Sequence, residues 1–192
     1  MTKQIALIAA VSENGVIGRN NDLPWKIRDD MRIFMAMTTG QAVIMGRKSF
    51  ESMGCKPLPN RLNIILSRDE NYSPDVAAFN LGMPPSLIQQ APLVGTDIES
   101  ALALVPEEMN AFIIGGAQIY KAALPYCTHF FRSTVHANVE GDTFFPEEKS
   151  TATSPWAVTY SATYPKSQDN EHSFTFEALK RVYKNNEYSK KS

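Results

Sequence analysis

Asp30 is the residue whose setting most demands a chemical explanation. It lies in Pro24-Trp25-Lys26-Ile27-Arg28-Asp29-Asp30-Met31-Arg32-Ile33-Phe34. At about 100° per residue, Ile27, Met31 and Phe34 share one helix face, and Asp30 falls between Phe34 and Met37 on it. Asp29 points elsewhere, toward Arg32 and solvent. An acid isolated among apolar side chains is costly unless something polar meets it, so one explanation is a polar ligand held at that spot. The other is that an acid near a helix start complements the macrodipole. This segment alone leaves both open.

Three strand-to-helix turns carry residues suited to anions. Val43-Ile44-Met45-Gly46-Arg47-Lys48-Ser49 ends a strand in glycine and opens a helix with two cations, where free backbone N–H groups add to the positive field. Ser67-Arg68 follows the apolar run Leu62 to Leu66. Ile113-Ile114-Gly115-Gly116-Ala117-Gln118-Ile119-Tyr120 again runs strand, glycines, helix. Ligands of open α/β sheets lie along the C-terminal edge of the strands, and three such turns together point to a phosphate-rich ligand. Alone, a Gly-Gly pair is more often just a turn. The spacing is neither a Walker loop, which needs Gly-Lys-Ser/Thr, nor a Gly-x-Gly-x-x-Gly fingerprint.

The elements that must position these residues alternate in character. Apolar runs at 4–11, 42–45, 62–66 and 111–114 read as strands. Amphipathic stretches at 27–38, 47–54, 97–105 and 117–124 read as helices. Phe130 to Val139 and Trp156 to Tyr164 read as long strands, and Ser173 to Leu179 alternates as an antiparallel or edge strand would. The expected fold is α/β: a central, mostly parallel mixed sheet of about eight strands with an antiparallel C-terminal edge and four flanking helices. Residues 68–96 carry Pro74, Pro84, Pro85 and Pro92 without a clear period, predicting mainly loop with one strand near Val76 to Phe79.

The 192 residues, 43% hydrophobic and 20% charged, suffice for one substantial core and are short for two, so a single domain over 1–181 with a polar tail at 182–192 is expected. A net charge of -1 gives no reason to expect a nucleic-acid surface. Cys55, Cys127, His129, His136 and His172 lack metal-ligand spacing, so no metal is expected. The run Ile5 to Val11 is too short for a membrane span and reads as a buried strand, which leads to an expected cytoplasmic location without membrane attachment.

Taken together, the chain resembles the dihydrofolate reductases from the first strand to about Arg181. The resemblance is carried by Ile8-Ala9-Ala10, Gly15-Val16-Ile17-Gly18, Leu23-Pro24-Trp25, Asp30 with Phe34, Val43 to Ser52, Pro57-Leu58-Pro59-Asn60-Arg61, Ile114-Gly115-Gly116 and Glu140-Gly141-Asp142-Thr143. It implies NADPH-dependent reduction of 7,8-dihydrofolate to tetrahydrofolate, with hydride to C6 and a proton to N5 of the pterin. Asp30 would pair with the 2-amino group and N3 of the pterin, which resolves its burial. Ser133 stands where the family usually has threonine and would orient that carboxylate.

The same resemblance makes Ile8, Ala9, Met31, Phe34, Met53, Leu58 and Ile114 the apolar slot for the pterin and aminobenzoyl rings, with Arg61 on the glutamate α-carboxylate. Gly46, Arg47, Lys48 and Ser49, with Leu66, Ser67 and Arg68, would surround the cofactor's 2′-phosphate and pyrophosphate. Gly115 and Gly116 match a cis-peptide pair, from which Ala117, Gln118, Ile119 and Tyr120 continue along the pyrophosphate and nicotinamide ribose. Ala10, Ile17, Gly18, Asn21 and Thr143 would complete the cofactor contacts. Residues 12–24 match a mobile loop whose Leu23 covers the nicotinamide, next to Trp25. Antifolates would share the substrate site, and a monomer is implied.

The chain departs from the family pattern at Ala117, which replaces a third glycine, and at Met35, where some relatives have a cation. An extra residue stands near Cys55-Lys56, and Phe79 to Pro92 looks inserted. Two rivals are another pterin- or flavin-pathway reductase of the same fold and a non-catalytic folate or nucleotide carrier. The first is disfavoured by Asp30, which needs an aminopyrimidine edge to meet.

Overall fold

A computed structural model describes residues 3–74, 76, 80, 90–146 and 154–182. The described strands are β1 (Ile5–Ser12), β2 (Val16–Gly18), β3 (Ala42–Gly46), β4 (Leu62–Leu66), β5 (Leu93–Gly95), β6 (Ala111–Gly115), β7 (His129–Val135), β8 (Thr143–Phe144), β9 (Trp156–Tyr164) and β10 (Phe174–Arg181). The described helices are α1 (Arg28–Thr38), α2 (Arg47–Ser52), α3 (Ile98–Ala103) and α4 (Ala117–Ala123).

Eight strands form one sheet in the order β5-β4-β3-β6-β1-β7-β10-β9, and β2 pairs with β8 in a small second sheet. The pairs from β5 across to β7 are parallel, whereas β10 runs antiparallel to both β7 and β9. The inner strands are buried on both faces, which is why they read as continuous apolar runs: Ala6, Leu7, Val43, Ile44, Met45, Ile64, Ile65 and Ile113 are fully enclosed. Leu7, Ile44, Ile64, Ile98, Ala101, Tyr120 and Ala123 pack on the α3/α4 face, while Ile8, Met45, Phe50, Ile65 and Phe112 pack on the other. Helix α3 starts on a capping box in which Asp97 accepts from the Ser100 N–H at 2.7 Å and Ser100 Oγ accepts from the Asp97 N–H at 3.1 Å.

Several expectations need correction. The long strand expected to reach Val139 stops at Val135, because the Ala137 N–H turns back onto the Val135 carbonyl at 2.8 Å. The stretch 68–96 contains β5, a three-residue strand beside β4 that is too short for any period to reveal. Most of the strand expected at Val76 to Phe79 lies outside the described residues. The Asn80 N–H to Val76 carbonyl bond of 3.0 Å has helical rather than strand spacing. A small β2/β8 sheet, which the sequence pattern does not mark, pairs the loop after β1 with the segment after β7. Helices expected at 47–54 and 97–105 are shorter, ending at Ser52 and Ala103. The tail expected at 182–192 lies outside the described residues after Val182.

Candidate active site

Asp30 occupies the first turn of α1, and its Oδ1 accepts a hydrogen bond from the Ser133 hydroxyl at 2.5 Å. Ser133 is buried on β7, in register with Ala10 of β1 and Phe176 of β10. Burial raises the Asp30 carboxyl above its ordinary range, and the Ser133 bond only partly offsets this. Nearby, the buried Tyr120 donates its hydroxyl to the Ile8 carbonyl at 2.9 Å. Burial, and then the Asp30 charge, push that phenol upward. Trp25 is packed among Ile27, Val135, Phe174 and Phe176, yet its indole Nε1 has no hydrogen-bond partner among the described residues. A buried, unpaired donor this close to the start of α1 marks a place built for a polar guest or a bridging water.

The apolar residues assigned to the slot are partly brought together. Phe34, Met53, Leu58 and Ile114 are half-buried against one cluster that includes Ile8, so each turns part of its surface away from the core. Met31 is a correction: expected on the buried face, it is 43% exposed, as is Met35 one turn on at 46%. Phe34 and Met37 pack against the core, whereas Met31, close in angle to the buried Ile27 and Thr38, is left exposed. Ile8 and Ala9 point to opposite faces of the sheet, as successive strand residues must, so the Ala9 side chain packs with the α3/α4 side. Arg61 is fixed by bonds from Nε to Thr38 Oγ1 and from Nη1 to the Pro59 carbonyl, both 2.8 Å, with its guanidinium 5.8 Å from the centre of the Phe34 ring. The buried Thr38 that holds it was not singled out in the sequence.

Strand register places the three glycine- and cation-bearing turns side by side. Gly46 pairs with Leu66, Leu66 with Gly95, and Met45 with Gly115, so Arg47, Lys48, Ser49, Ser67 and Arg68 all follow the same sheet edge as Gly116. The peptide between Gly115 and Gly116 is cis, and Gly115 has φ +114, a conformation side chains disfavour. A methyl added to Gly116 would lie 3.2 Å from Ser49 Oγ, so the two turns are in contact and bare backbone faces the gap. Arg47 stacks over Tyr72 at 5.6 Å and pairs with Glu51 at 3.6 Å, whereas Lys48 and Arg68 are exposed. Two assigned cofactor residues are committed elsewhere: Leu66 is in the core, and the Tyr120 ring is turned inward beside Phe145. Ala117 and Ile119 are half-buried in α4, and Gln118 is exposed.

The loop from Glu13 to Pro24 is fastened to the segment carrying Thr143. Gly18 pairs with Thr143, and Asp142 accepts from the Asn20 N–H at 2.8 Å. A Cβ on Gly141 would sit 2.7 Å from the Gly18 carbonyl, so only glycine fits there. Positive φ values in this loop fall at Gly15, Asn20 and Asn21 and not at Gly18. Ile17 is half-buried, and Leu23 is 48% exposed beyond this fastened stretch.

Fold and site together define a single-domain α/β protein in which a carboxylate-bearing apolar surface adjoins a sheet edge of glycines, serines and cations. A family model described as Dihydrofolate reductase matches residues 4–181. The chain belongs to the dihydrofolate reductase family. It is 37% identical over 177 residues to Dihydrofolate reductase type 3 of Salmonella typhimurium, covering 92% of this chain and 98% of that protein. It is 43% identical over 143 residues to the dihydrofolate reductase of Neisseria meningitidis serogroup A, covering 74% and 79%. The solved structure of Enterococcus faecalis dihydrofolate reductase complexed with NADP(H) and RAB-propyl superposes with a TM-score of 0.79 at 29% identity, covering 95% of this chain and 100% of that one.

Proposed function

We propose that this chain is an NADPH-dependent oxidoreductase that converts 7,8-dihydrofolate to 5,6,7,8-tetrahydrofolate, with Asp30 as the essential acid. The observation that carries the reading is the Asp30–Ser133 pair: a half-buried carboxylate oriented by a hydroxyl, at the start of a helix whose Phe34 packs with other half-buried apolar side chains. When bound, NADPH supplies the hydride. The bare Gly116 backbone, Ser49, Ser67, Arg47, Lys48 and Arg68 fit a phosphorylated dinucleotide along the sheet edge, and a relative solved with NADP(H) supports that fit.

Asp30 keeps one oxygen on Ser133 and has the other available for the aminopyrimidine edge of a pterin, a charge-assisted contact that orients the ring. Its upward-shifted pKa brings its protonation equilibrium closer to the working pH, which suits a group that must support delivery of a proton to N5. Phe34, Met53, Leu58 and Ile114 enclose the rings, and Arg61 is pre-oriented for a carboxylate. Antifolates bearing the same aminopyrimidine edge would compete for Asp30. The reading includes a monomer in the cytoplasm, and no helix among the described residues is long and apolar enough to cross a membrane. Sedimentation of the purified chain checks the monomer.

The test is to follow NADPH absorbance with dihydrofolate for the wild-type chain and Asp30→Asn. The substitution is expected to leave NADPH affinity within about 2-fold while lowering turnover at neutral pH by about 100-fold or more, because shape is kept and the acid is lost. Equal turnover in both proteins removes Asp30 from the mechanism. A wild-type protein that binds both ligands without turnover supports the carrier reading instead.

A further inference from the structure

Helix α1 begins without a cap of its own. Ile27 stands at its N-cap and offers no side-chain hydrogen bond, although the first turn of a helix leaves several N–H groups to satisfy. The connection between β9 and β10 satisfies them from the far end of the chain. The Arg28 N–H donates to the Asp169 carbonyl at 2.9 Å, and the Asp29 N–H donates to Asn170 Oδ1 at 3.2 Å.

Asn170 is the centre of this arrangement. It is 1% exposed, in a connection, Pro165 to Ser173, that is otherwise polar apart from its leading proline. Its Nδ2 donates to Asp29 Oδ2 at 2.8 Å and to the Pro165 carbonyl at 3.3 Å, and its backbone bridges to Ile27. Ser167 secures it, donating its N–H to the Asn170 carbonyl at 2.9 Å and accepting the Asn170 N–H on Oγ at 3.2 Å. Both ends of one buried amide therefore grip Asp29, and Asp30 is the next residue. The exposed Arg28–Asp169 and Arg32–Asp169 ion pairs at the rim add little by comparison.

The connection is rigidly related to the other partner of Asp30. Strand β10, which leaves this turn, pairs with β7 so that Phe176 lies opposite Ser133. Ser133 holds the Asp30 carboxylate from β7, and Asn170 holds the backbone one residue before it from the turn that leads into β10, the strand paired with β7.

We infer that Asn170 is a positioning residue for the reaction: it caps α1 across the chain and sets where Asp30 presents its carboxylate. This rests on the role given to Asp30 above. A misplacement of about 1 Å is enough to cost on the order of 100-fold in rate.

The experiment exchanges donor and acceptor. In Asn170→Asp the donor to Asp29 is lost and two carboxylates face each other. In the double variant Asp29→Asn with Asn170→Asp, the amide sits on the other side and donates back, while the backbone N–H keeps its acceptor. The single variant is expected to lower kcat/KM for dihydrofolate by about 10-fold or more with NADPH Kd within about 2-fold, and the double variant to recover to within about 3-fold of wild type. Amide exchange at Asp29 and Asp30, which needs no ligand, is expected to quicken in the single variant and slow again in the double. If the single variant does not fold, Asn170→Ala is read the same way. Unchanged kcat/KM in a single variant with quickened exchange overturns the inference, as does a double variant that melts like wild type without recovering. A wild-type chain that fails to oxidise NADPH with dihydrofolate defeats the role of Asp30 instead, and the exchange data then still decide whether Asn170 is the cap.

Discussion

Asp30 carries an energetic conflict as well as a proposed role. Its carboxyl is held above the ordinary 3.8 by burial, so the native state binds this proton more readily than the unfolded chain does. Stability therefore falls as pH rises from 3.8 through the raised value, and the penalty is fully present above it. Asp30→Asn is expected to melt at a higher temperature than wild type at neutral pH, with the difference shrinking as pH is lowered and vanishing below 3.8. Thermal melts across that range check it; a variant no more stable at neutral pH would mean that the Ser133 bond outweighs desolvation. At this scale the residue types and the 3.6-residue period were enough to single out Asp30 and to turn Asp29 toward Arg32, which it meets at 2.7 Å. They were not enough to place Met31 correctly, because a helix stripe is wide and its edge is set by what the sheet offers opposite.

Among the elements, the decisive relation is the alignment of β3, β4, β5 and β6 at one edge. Arg47 follows Gly46 there, held between the Tyr72 ring and Glu51, and its planar fork suits a phosphate. Arg47→Ala is expected to weaken NADPH by about 10- to 100-fold, the worth of a charge-assisted hydrogen bond, while NADH, lacking the 2′-phosphate, changes by less than about 2-fold. Fluorescence titration of both cofactors checks it, and equal losses would show that Arg47 does not discriminate between them. The strand-glycine-helix pattern announced the turns after β3 and β6, and the Ser67-Arg68 pair announced the one after β4. β5 escaped notice because three residues cannot display a period, and the β2/β8 pair because its strands are shorter than the turns around them.

For the whole molecule, the antiparallel β9/β10 hairpin is an integral part of the site rather than an appendage. Phe174, fully buried, stacks on Tyr164 at 4.7 Å and packs with Trp25 and Ile27 at the entrance to α1. Phe174→Ala is expected to cost about 3–5 kcal/mol, against a total of about 5–15 kcal/mol for a domain. It should lower the melting temperature by about 2–4 °C per kcal/mol. A melt shifted by less than about 2 °C would show that the hairpin is only loosely joined to the rest.

What the chain alone determined was set by local chemistry. Apolar runs specified the buried strands, amphipathic periods specified the helices, and the ordered motifs from Ile8 to Thr143 specified the family. What only the tertiary structure decided depends on contacts between distant segments. Asn170 in a polar turn carries no mark of burial, and Asp29 carries no mark of a cap supplied from 141 residues away. Tyr120 turns inward because the Ile8 carbonyl on β1 and the Phe145 ring lie beneath its helix, and α1 is capped because the turn into β10 lies where that helix starts, relations that no window of sequence contains.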